Sequence, residues 1–237
     1  MADGGGKSLT RDAQQHRIER PLEVLKFIYR QRVRGFSPPG EPHFDEATTA
    51  LFRSLLSKAK LYLEFGTGGS TLAAARQKVP TISVESDRHY AKVVRQTIGP
   101  DSSVELIHAD IGVTGPWGRP LVELTGRDRR EAWRPYVDLP FARLAANSSF
   151  PDLILIDGRF RIACALKSAR EAARVGKEAD LLFDDYFGAG REGYFVVEPH
   201  LGPPERHGRA ALFRLSATPP RPIPTAAEVD EALRDFR

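Results

Sequence analysis

The sequence predicts an α/β protein with a doubly wound, mostly parallel sheet that is covered by helices on both faces. Three observations lead to this fold class: short apolar segments alternate with amphipathic ones, the apolar segments are too hydrophobic to face water on either side, and a glycine-rich turn follows the first of them. The chain has 237 residues, of which 41% are hydrophobic and 28% charged, and this composition suits one such domain.

The first part of the chain is predicted to contain a tail and two helices. Residues 1–19 include three consecutive glycines and no sustained apolar face, so they are expected to form a flexible tail before a single domain of residues 20–237. Helical spacing predicts a first helix through Leu22, Leu25, Tyr29 and Val33. Asp45 is placed to cap a second helix. Its apolar face is expected to consist of Ala47, Leu51 and Leu55.

The middle of the chain alternates between strands and helices. Strands are predicted over Leu61–Phe65, Thr81–Glu85, Val104–His108, Leu153–Asp157 and Leu181–Asp184. Helices are predicted over Leu72–Gln77, after Asp87, and over Ile162–Val175 before Gly176. This alternation predicts that the strands run parallel.

The pattern changes after Asp185. A helix is expected over Glu192–Glu198 and a last strand over Ala210–Leu215. Thr225 and Glu228 have the spacing of a capping box, which predicts a C-terminal helix over residues 225–236.

The connection over residues 111–151 is much longer than the usual loop of ~4–6 residues. It contains both tryptophans, Trp117 and Trp133. Such an insertion either packs on the body of the domain or covers a ligand site. We expect the covering role, with Trp117 and Tyr136 contacting the substrate.

Composition also excludes several classes of protein. No apolar run reaches the ~18 residues that a membrane span needs, and the N-terminal residues lack the apolar core of a secretion signal. The single cysteine, Cys164, excludes a cysteine-rich zinc module and fits a reducing cytoplasm. The net charge of +4 comes from basic and acidic residues that are interleaved, so no nucleic-acid patch is expected. We expect a cytoplasmic protein without a membrane or nucleic-acid partner, and the sequence leaves a dimer open.

The glycine-rich turn after the first strand has the sequence EFGTGGST, from Glu64 to Thr71. Glycines let backbone amides approach a ligand, and the N-terminus of the next helix offers unpaired N–H groups. The dinucleotide pattern G-x-G-x-x-G would need a small residue at Thr71, and a carboxylate at Glu64 would lie near a pyrophosphate. A nicotinamide oxidoreductase is therefore disfavoured. Glu64 either lies near a cationic ligand or simply orders the turn.

These residues resemble class I S-adenosylmethionine-dependent methyltransferases over residues 45–216. The segments LEFGTGGST, VESD, GPWG, IDGRFR and LLFDDY together resemble a group of bacterial methyltransferase-like proteins without an assigned substrate. The resemblance implies a seven-stranded Rossmann-like sheet with an antiparallel strand near the C-terminus. It also implies S-adenosylmethionine as the cofactor.

The resemblance further implies which residues bind the cofactor. Glu85, with Ser86 beside it, is expected to hold the ribose hydroxyls, because a carboxylate accepts two hydrogen bonds at once. Asp110 is expected to accept from the adenine amino group. The other cofactor contacts are expected from Glu64, Phe65, Gly66, Thr67, Gly68, Ser70 and Thr71.

Three acids at the ends of the fourth and fifth strands are candidate catalytic residues: Asp157, Asp184 and Asp185. They also resemble the ligand positions of metal-dependent O-methyltransferases of the catechol type, which makes them candidate Mg²⁺ ligands. Asp185 stands where that group has Asn, and the expected lysine after the first Asp is absent. Alternatively, Asp184 and Asp185 orient a substrate amine or accept from the backbone.

Arg159 and Arg161 follow the fourth strand and suit an acidic group on the substrate, since a guanidinium pairs with carboxylate or phosphate through two bonds. The alternative is a salt bridge to Asp184, Asp185 or Glu198. The sequence therefore predicts a methyltransferase for a small molecule, acting at oxygen or nitrogen. A catalytically silent cofactor-binding protein and an RNA or protein methyltransferase remain open.

Overall fold

The structure, a computed structural model, describes residues 25–27, 29, 34–120 and 129–236. The chain divides into two compact units, residues 1–35 and 36–237. In the first unit, residues 25–27 and 29 are helical. The predicted tail and the rest of the first predicted helix lie outside the described residues.

A seven-stranded sheet forms the centre of the second unit, in the order β3-β2-β1-β4-β5-β7-β6. The strands are β1 (Tyr62–Phe65), β2 (Thr81–Glu85), β3 (Val104–His108), β4 (Leu153–Ile156), β5 (Ala179–Phe183), β6 (Glu205–His207) and β7 (Ala210–Leu215). The strands β1 to β5 pair in parallel, while β7 is antiparallel to β5 and to β6. The strand order reverses between β1 and β4, and such a reversal is where open α/β sheets bind ligands.

Helices cover both faces of the sheet. They are α1 (Glu46–Leu56), α2 (Gly69–Arg76), α3 (Arg88–Ile98), α4 (Arg130–Ala146), α5 (Arg161–Val175), α6 (Glu198–Leu201) and α7 (Ala226–Ala232). Successive residues of a strand point to opposite faces. Accordingly, Leu63 of β1 joins an apolar core with α4, α5 and α7, whereas its neighbour Tyr62 joins a second core with α1 and α2. The predicted fold class, with helices on both faces and an antiparallel strand near the C-terminus, is confirmed.

Several details differ from the sequence prediction. Helix α1 buries Thr48, Phe52 and Leu56, which lie one position beyond the predicted face. Phe52 is drawn inward by contacts with the rings of Phe44 and Tyr62. The terminal helix α7 ends at Ala232, not at residue 236.

The helix predicted over Glu192–Glu198 is a 3-10 helix over Glu192–Val197, followed by α6. No bounds were predicted for α4, α6 or β6. Helix α4 contains Pro135 and Pro140, which obscure a helical pattern in the sequence. Strand β6 is three residues long and has little burial, so no hydrophobic alternation marks it. None of the described helices is long and apolar enough to cross a membrane.

Candidate functional site

The turns after β1 and β4 touch each other at the point where the strand order reverses. Gly66 has a φ of +101°, and a Cβ there would lie 2.7 Å from the backbone of Gly158. A Cβ on Gly158 would collide with the hydroxyl of Tyr136. Both positions therefore need glycine for the close approach of two backbones.

Gly68, in contrast, faces open space. Its φ of 178° is extended backbone, and the nearest atom to an added Cβ is the Tyr90 hydroxyl oxygen, at 3.7 Å. Its N–H donates to the Thr71 hydroxyl oxygen at 2.8 Å. Of the two glycines, Gly68 is thus the one whose backbone is accessible to a ligand. Tyr90 lies beside this turn and stacks on Phe36, and no sequence motif marks it as a site residue.

The Glu64 carboxylate is fully buried beneath the turn. It accepts hydrogen bonds from the hydroxyls of Tyr62 (2.9 Å), Ser70 (2.7 Å) and Thr71. Burial raises the pKa of Glu64 above its usual value. The structure therefore shows the ordering role for Glu64, because its oxygens are engaged by the turn itself. Phe65, the next residue, is buried in the core.

Glu85 lies at the carboxyl end of β2, beside the same turn, and is 8% exposed. One carboxylate oxygen accepts from the backbone N–H groups of Ser86 (2.7 Å) and Asp87 (2.8 Å). The other accepts from the Thr67 N–H at 3.3 Å. Burial raises the pKa of Glu85 to about 7. Three amides fix the carboxylate in one orientation and leave the second oxygen with capacity for a further donor.

A loop of residues 114–119, here called the covering loop, lies over the end of β2. The Thr114 hydroxyl donates to the Asp87 carboxylate at 3.0 Å, and the Ser86 hydroxyl donates to the Gly118 carbonyl at 3.3 Å. A Cβ on Gly118 would lie 3.6 Å from a Glu85 carboxylate oxygen. Trp117, at a φ of +61°, is 76% exposed. The covering loop therefore borders Glu85, and Trp117 is available for contact.

Two other predicted residues differ in their accessibility. Asp110, just after β3, is exposed and accepts from the Gly112 N–H at 2.9 Å. Tyr136 in α4 is 1% exposed and packs against Phe65 and Phe160. The expectation that Tyr136 contacts substrate is corrected here, because its ring belongs to the core and its hydroxyl accepts from the Arg159 N–H at 3.3 Å.

Arg161 is buried and its guanidinium is committed to the protein. It donates to the Asp157 carboxylate (3.1 Å), the Asp184 carbonyl (2.7 Å) and the Gly158 carbonyl (3.0 Å). The salt-bridge alternative is therefore the one observed for Arg161, although its closest carboxylate is that of Asp157. A substrate would have to break these bonds to reach it.

The candidate metal ligands are also paired with arginine. Asp184, 1% exposed, accepts from Arg209 at 3.0 Å, while Asp185 pairs with Arg209 at 2.9 Å and with Arg191 at 3.3 Å. Within the described ranges, no three His, Cys, Asp or Glu side chains come together to hold a metal. The residues do not fit Mg²⁺, because guanidinium groups already neutralise the oxygens that it would need. Arg209 was missed in the sequence because it lies far from these acids along the chain.

Asp157, at the start of the turn after β4, is half-buried and pairs with Arg161. Burial within the turn raises its pKa to about 7, and the negative charges of Asp184 and Asp185 act in the same direction. The Arg161 guanidinium opposes them. A carboxylate with such a pKa can accept a proton near neutral pH.

Comparison with solved structures assigns the chain to a family. A methyltransferase-like protein from Silicibacter pomeroyi is 31% identical to it, with a TM-score of 0.67, and the match covers 84% of this chain and 98% of that one. The chain belongs to the methyltransferase-like proteins. The class I methyltransferase fold that the glycine turn and the later acids predicted is thereby confirmed.

Two further structures resemble this methyltransferase-like protein more distantly. A hypothetical protein from Thermus thermophilus is 14% identical, with a TM-score of 0.42 over 77% of this chain and 94% of that one. A Klebsiella pneumoniae protein described as a candidate O-methyltransferase is 19% identical, with a TM-score of 0.45 over 82% and 90%. No protein-family model and no curated protein matches the chain.

Proposed function

We propose that the protein is an S-adenosylmethionine-dependent methyltransferase that methylates an oxygen or nitrogen of a small molecule. The observation that carries the proposal is the Glu85 carboxylate, which three backbone amides hold at the end of β2 beside an accessible glycine, Gly68. A buried carboxylate whose second oxygen can accept a further hydrogen bond suits the ribose hydroxyls. Membership in the methyltransferase-like proteins supports the same cofactor.

The proposed cofactor contacts follow the order of the strands. The turn residues Thr67 to Thr71 offer backbone groups to the methionine part, and Ser70 and Thr71 are aligned from below by Glu64. Glu85 holds the ribose, with Ser86 beside it. Asp110 is proposed to accept from the adenine amino group, since it follows β3 and is exposed. When bound, the cofactor would supply a sulfonium methyl group for transfer to the acceptor atom, with S-adenosylhomocysteine as the leaving group.

In that reaction the protein would align the acceptor with the methyl group and remove a proton from the acceptor. The acceptor must lie in line with the methyl group and away from water, which the covering loop and Trp117 are placed to promote. Asp157, with its raised pKa, is proposed to take the proton that an oxygen or nitrogen acceptor loses. Asp184 and Asp185 are proposed to act indirectly, because their arginine partners fix the end of β5.

Calorimetric titration tests the cofactor assignment. The protein should bind S-adenosylmethionine and S-adenosylhomocysteine at micromolar affinity and should not bind NAD. Glu85→Gln should weaken binding by roughly tenfold or more, since hydrogen bonds to a charged acceptor contribute ~1.5–3 kcal/mol each. Asp110→Asn should weaken it less. Equal and negligible losses in both variants would contradict the assignment.

A catalytically silent cofactor-binding protein is the alternative, favoured by the arginine pairing that occupies Asp184 and Asp185. Transfer from methyl-labelled cofactor into a metabolite extract, with and without added RNA, separates the alternatives. We expect label in a small molecule and none in RNA or protein. Tight cofactor binding without any transfer would establish the silent protein instead.

A further inference from the structure

Arg159 occupies the point where the strand order reverses, on the turn that follows β4. The turn is fixed on both sides of it: Gly158 packs on Gly66, and Phe160 is buried between Trp133 and Tyr136. From this turn the side chain extends toward the covering loop, where a Cβ on Gly118 would lie 3.9 Å from the Arg159 Cγ. Arg159 therefore extends from the turn after β4 toward the covering loop at the end of β2.

The Arg159 guanidinium has no partner in the part of the chain that the structure describes. Its Nε is buried and makes no hydrogen bond. The three aspartates of this edge are already engaged, Asp157 by Arg161, and Asp184 and Asp185 by Arg209. The nearby Glu85 carboxylate is held by backbone amides.

The Arg159 side chain is half-buried, and its shielded Nε donor lacks a partner, which is unfavourable for the folded protein alone. Burial and the positive charges of Arg161 and Arg119 lower the pKa of Arg159 to about 10, so it remains charged at neutral pH. A charged donor without a partner, between the turn after β4 and the covering loop, is suited to an anion that arrives from outside. A carboxylate or phosphate fits a guanidinium through two parallel hydrogen bonds.

We infer that the acceptor carries an anionic group, a carboxylate or a phosphate, and that Arg159 binds this group while Arg161 serves the fold. The inference rests on the proposed methyl transfer and names its substrate class. Arg159 would hold the acceptor by its anionic end and leave its hydroxyl or amine directed toward Asp157.

The test uses three probes of similar shape: benzoate, phenyl phosphate and the neutral benzamide. Their dissociation constants are measured by ligand-observed NMR on the full-length protein saturated with S-adenosylhomocysteine. We expect at least one anionic probe to bind tenfold or more tightly than benzamide, and the comparison of benzoate with phenyl phosphate shows which anion is preferred. Similar binding of all three probes would overturn the inference.

Variants test whether Arg159 is the residue that binds the anionic probes. Arg159→Gln should bind the anionic probes no better than benzamide, whereas the matched control Arg143→Gln should bind them like the original protein, since the Arg143 pair with Glu105 lies on the surface. Arg159→Lys keeps the charge and should show an intermediate affinity. Unchanged anion binding in Arg159→Gln would overturn the assignment.

Two further measurements separate this inference from other roles of Arg159. The melting temperature of Arg159→Gln should equal or exceed that of the original protein, because an unpaired charge has been removed. A large fall in melting temperature would indicate a structural role and overturn the inference.

Arg159→Gln should also keep its affinity for S-adenosylhomocysteine. A tenfold loss there, with anionic probes unaffected, would mean that Arg159 holds the cofactor's own carboxylate. If the original protein fails to bind S-adenosylhomocysteine, the proposed function fails, while the probe titrations still decide whether Arg159 is an anion site.

Discussion

At the scale of single residues, Gly66 and Gly68 of the turn after β1 are required for different reasons. Gly66 is at a positive φ and packs against the Gly158 backbone, so its lack of a side chain serves the fold. Gly68 has extended backbone and faces open space. Under the proposed function, its lack of a side chain leaves room for the ligand. The sequence motif does not distinguish the two glycines, but substitutions can distinguish their roles.

We predict that Gly68→Ala folds normally but binds S-adenosylhomocysteine at least tenfold more weakly. Its methyl group meets no protein atom closer than 3.7 Å, yet occupies the face proposed to receive the ligand. Gly66→Ala should lose about 2–4 kcal/mol of the free energy of unfolding through backbone strain and overpacking. Denaturant unfolding and calorimetry measure both effects. Full ligand affinity in Gly68→Ala would place the ligand elsewhere.

Glu85 predicts a pH dependence of stability. Its folded pKa of about 7 lies above the ordinary value of 4.5, so the folded state holds the proton more tightly than the unfolded chain. The stability associated with the protonated form is present below pH 4.5 and is lost as pH rises toward 7, by at most about 3 kcal/mol. The free energy of unfolding of Glu85→Gln, relative to the original protein, should therefore rise between pH 5 and pH 8. A constant difference across this range would mean that Glu85 is ionised throughout.

At the scale of elements, the covering loop contains one accessible tryptophan and α4 contains a buried one. Trp117 is 76% exposed, whereas Trp133 packs on Phe160 within the core. The insertion of residues 111–151 therefore combines a part beside the proposed ligand site with a helix that belongs to the body of the domain. The two tryptophans report on these parts separately.

We predict that S-adenosylhomocysteine shifts the tryptophan emission to shorter wavelength through Trp117 alone. Trp117 is exposed in the free protein, and a ligand beside Glu85 would shield it from water. The chain has two tryptophans, so Trp117→Phe should abolish the shift and Trp133→Phe should preserve it. A shift that persists in Trp117→Phe would show that α4 responds instead of the covering loop.

Helix α7 depends on its capping box. The Thr225 hydroxyl accepts from the Glu228 N–H at 3.1 Å, and the Glu228 carboxylate accepts from the Thr225 N–H at 2.7 Å. Thr225→Ala should therefore lower the free energy of unfolding by about 1 kcal/mol. The exposed Thr218 makes no cap, so Thr218→Ala should change it by less than about 0.5 kcal/mol. Equal effects in thermal unfolding of the two variants would contradict the capping role.

At the scale of the whole molecule, charges are balanced at the ends of β4 and β5. Asp157, Asp184 and Asp185 are matched by Arg161, Arg191 and Arg209, which come from three different parts of the chain. This cluster ties the turn after β4 to the antiparallel hairpin of β6 and β7. Among the described residues, this cluster includes no partner for Arg159, the other arginine of the turn after β4.

We predict that Mg²⁺ at 10 mM changes neither the melting temperature nor any methyl transfer, and that a chelator has no effect. The physical reason is that arginine guanidinium groups engage all three aspartates. Arg209→Gln should lower the free energy of unfolding by about 3 kcal/mol, because it leaves the buried Asp184 carboxylate without its partner. A rise in melting temperature with Mg²⁺ in the original protein would restore the metal hypothesis.

The sequence by itself determined most of the sheet and the position of the glycine turn in it. Period-two and period-3.6 hydrophobic patterns are local, so the bounds of β2, β3 and β7 followed from the chain, as did the cap at Asp87 and the box at Thr225. The glycine turn was found because it immediately follows a strand, at the edge where open α/β sheets bind ligands. Glu85, the last residue of β2, was singled out through the resemblance to methyltransferases.

Only the tertiary structure decided how the charged side chains are partnered. Arg159 and Arg161 are two residues apart and look equivalent in the sequence, yet one is buried in ion pairs and the other has none among the described residues. Arg209 reaches Asp184 because β7 pairs with β5, and no local pattern encodes that contact. Burial and ion pairing depend on elements distant in the chain, whereas strand and helix propensity depends on neighbours. For this protein, the fold could therefore be predicted from the sequence, whereas the different roles of its arginines could not.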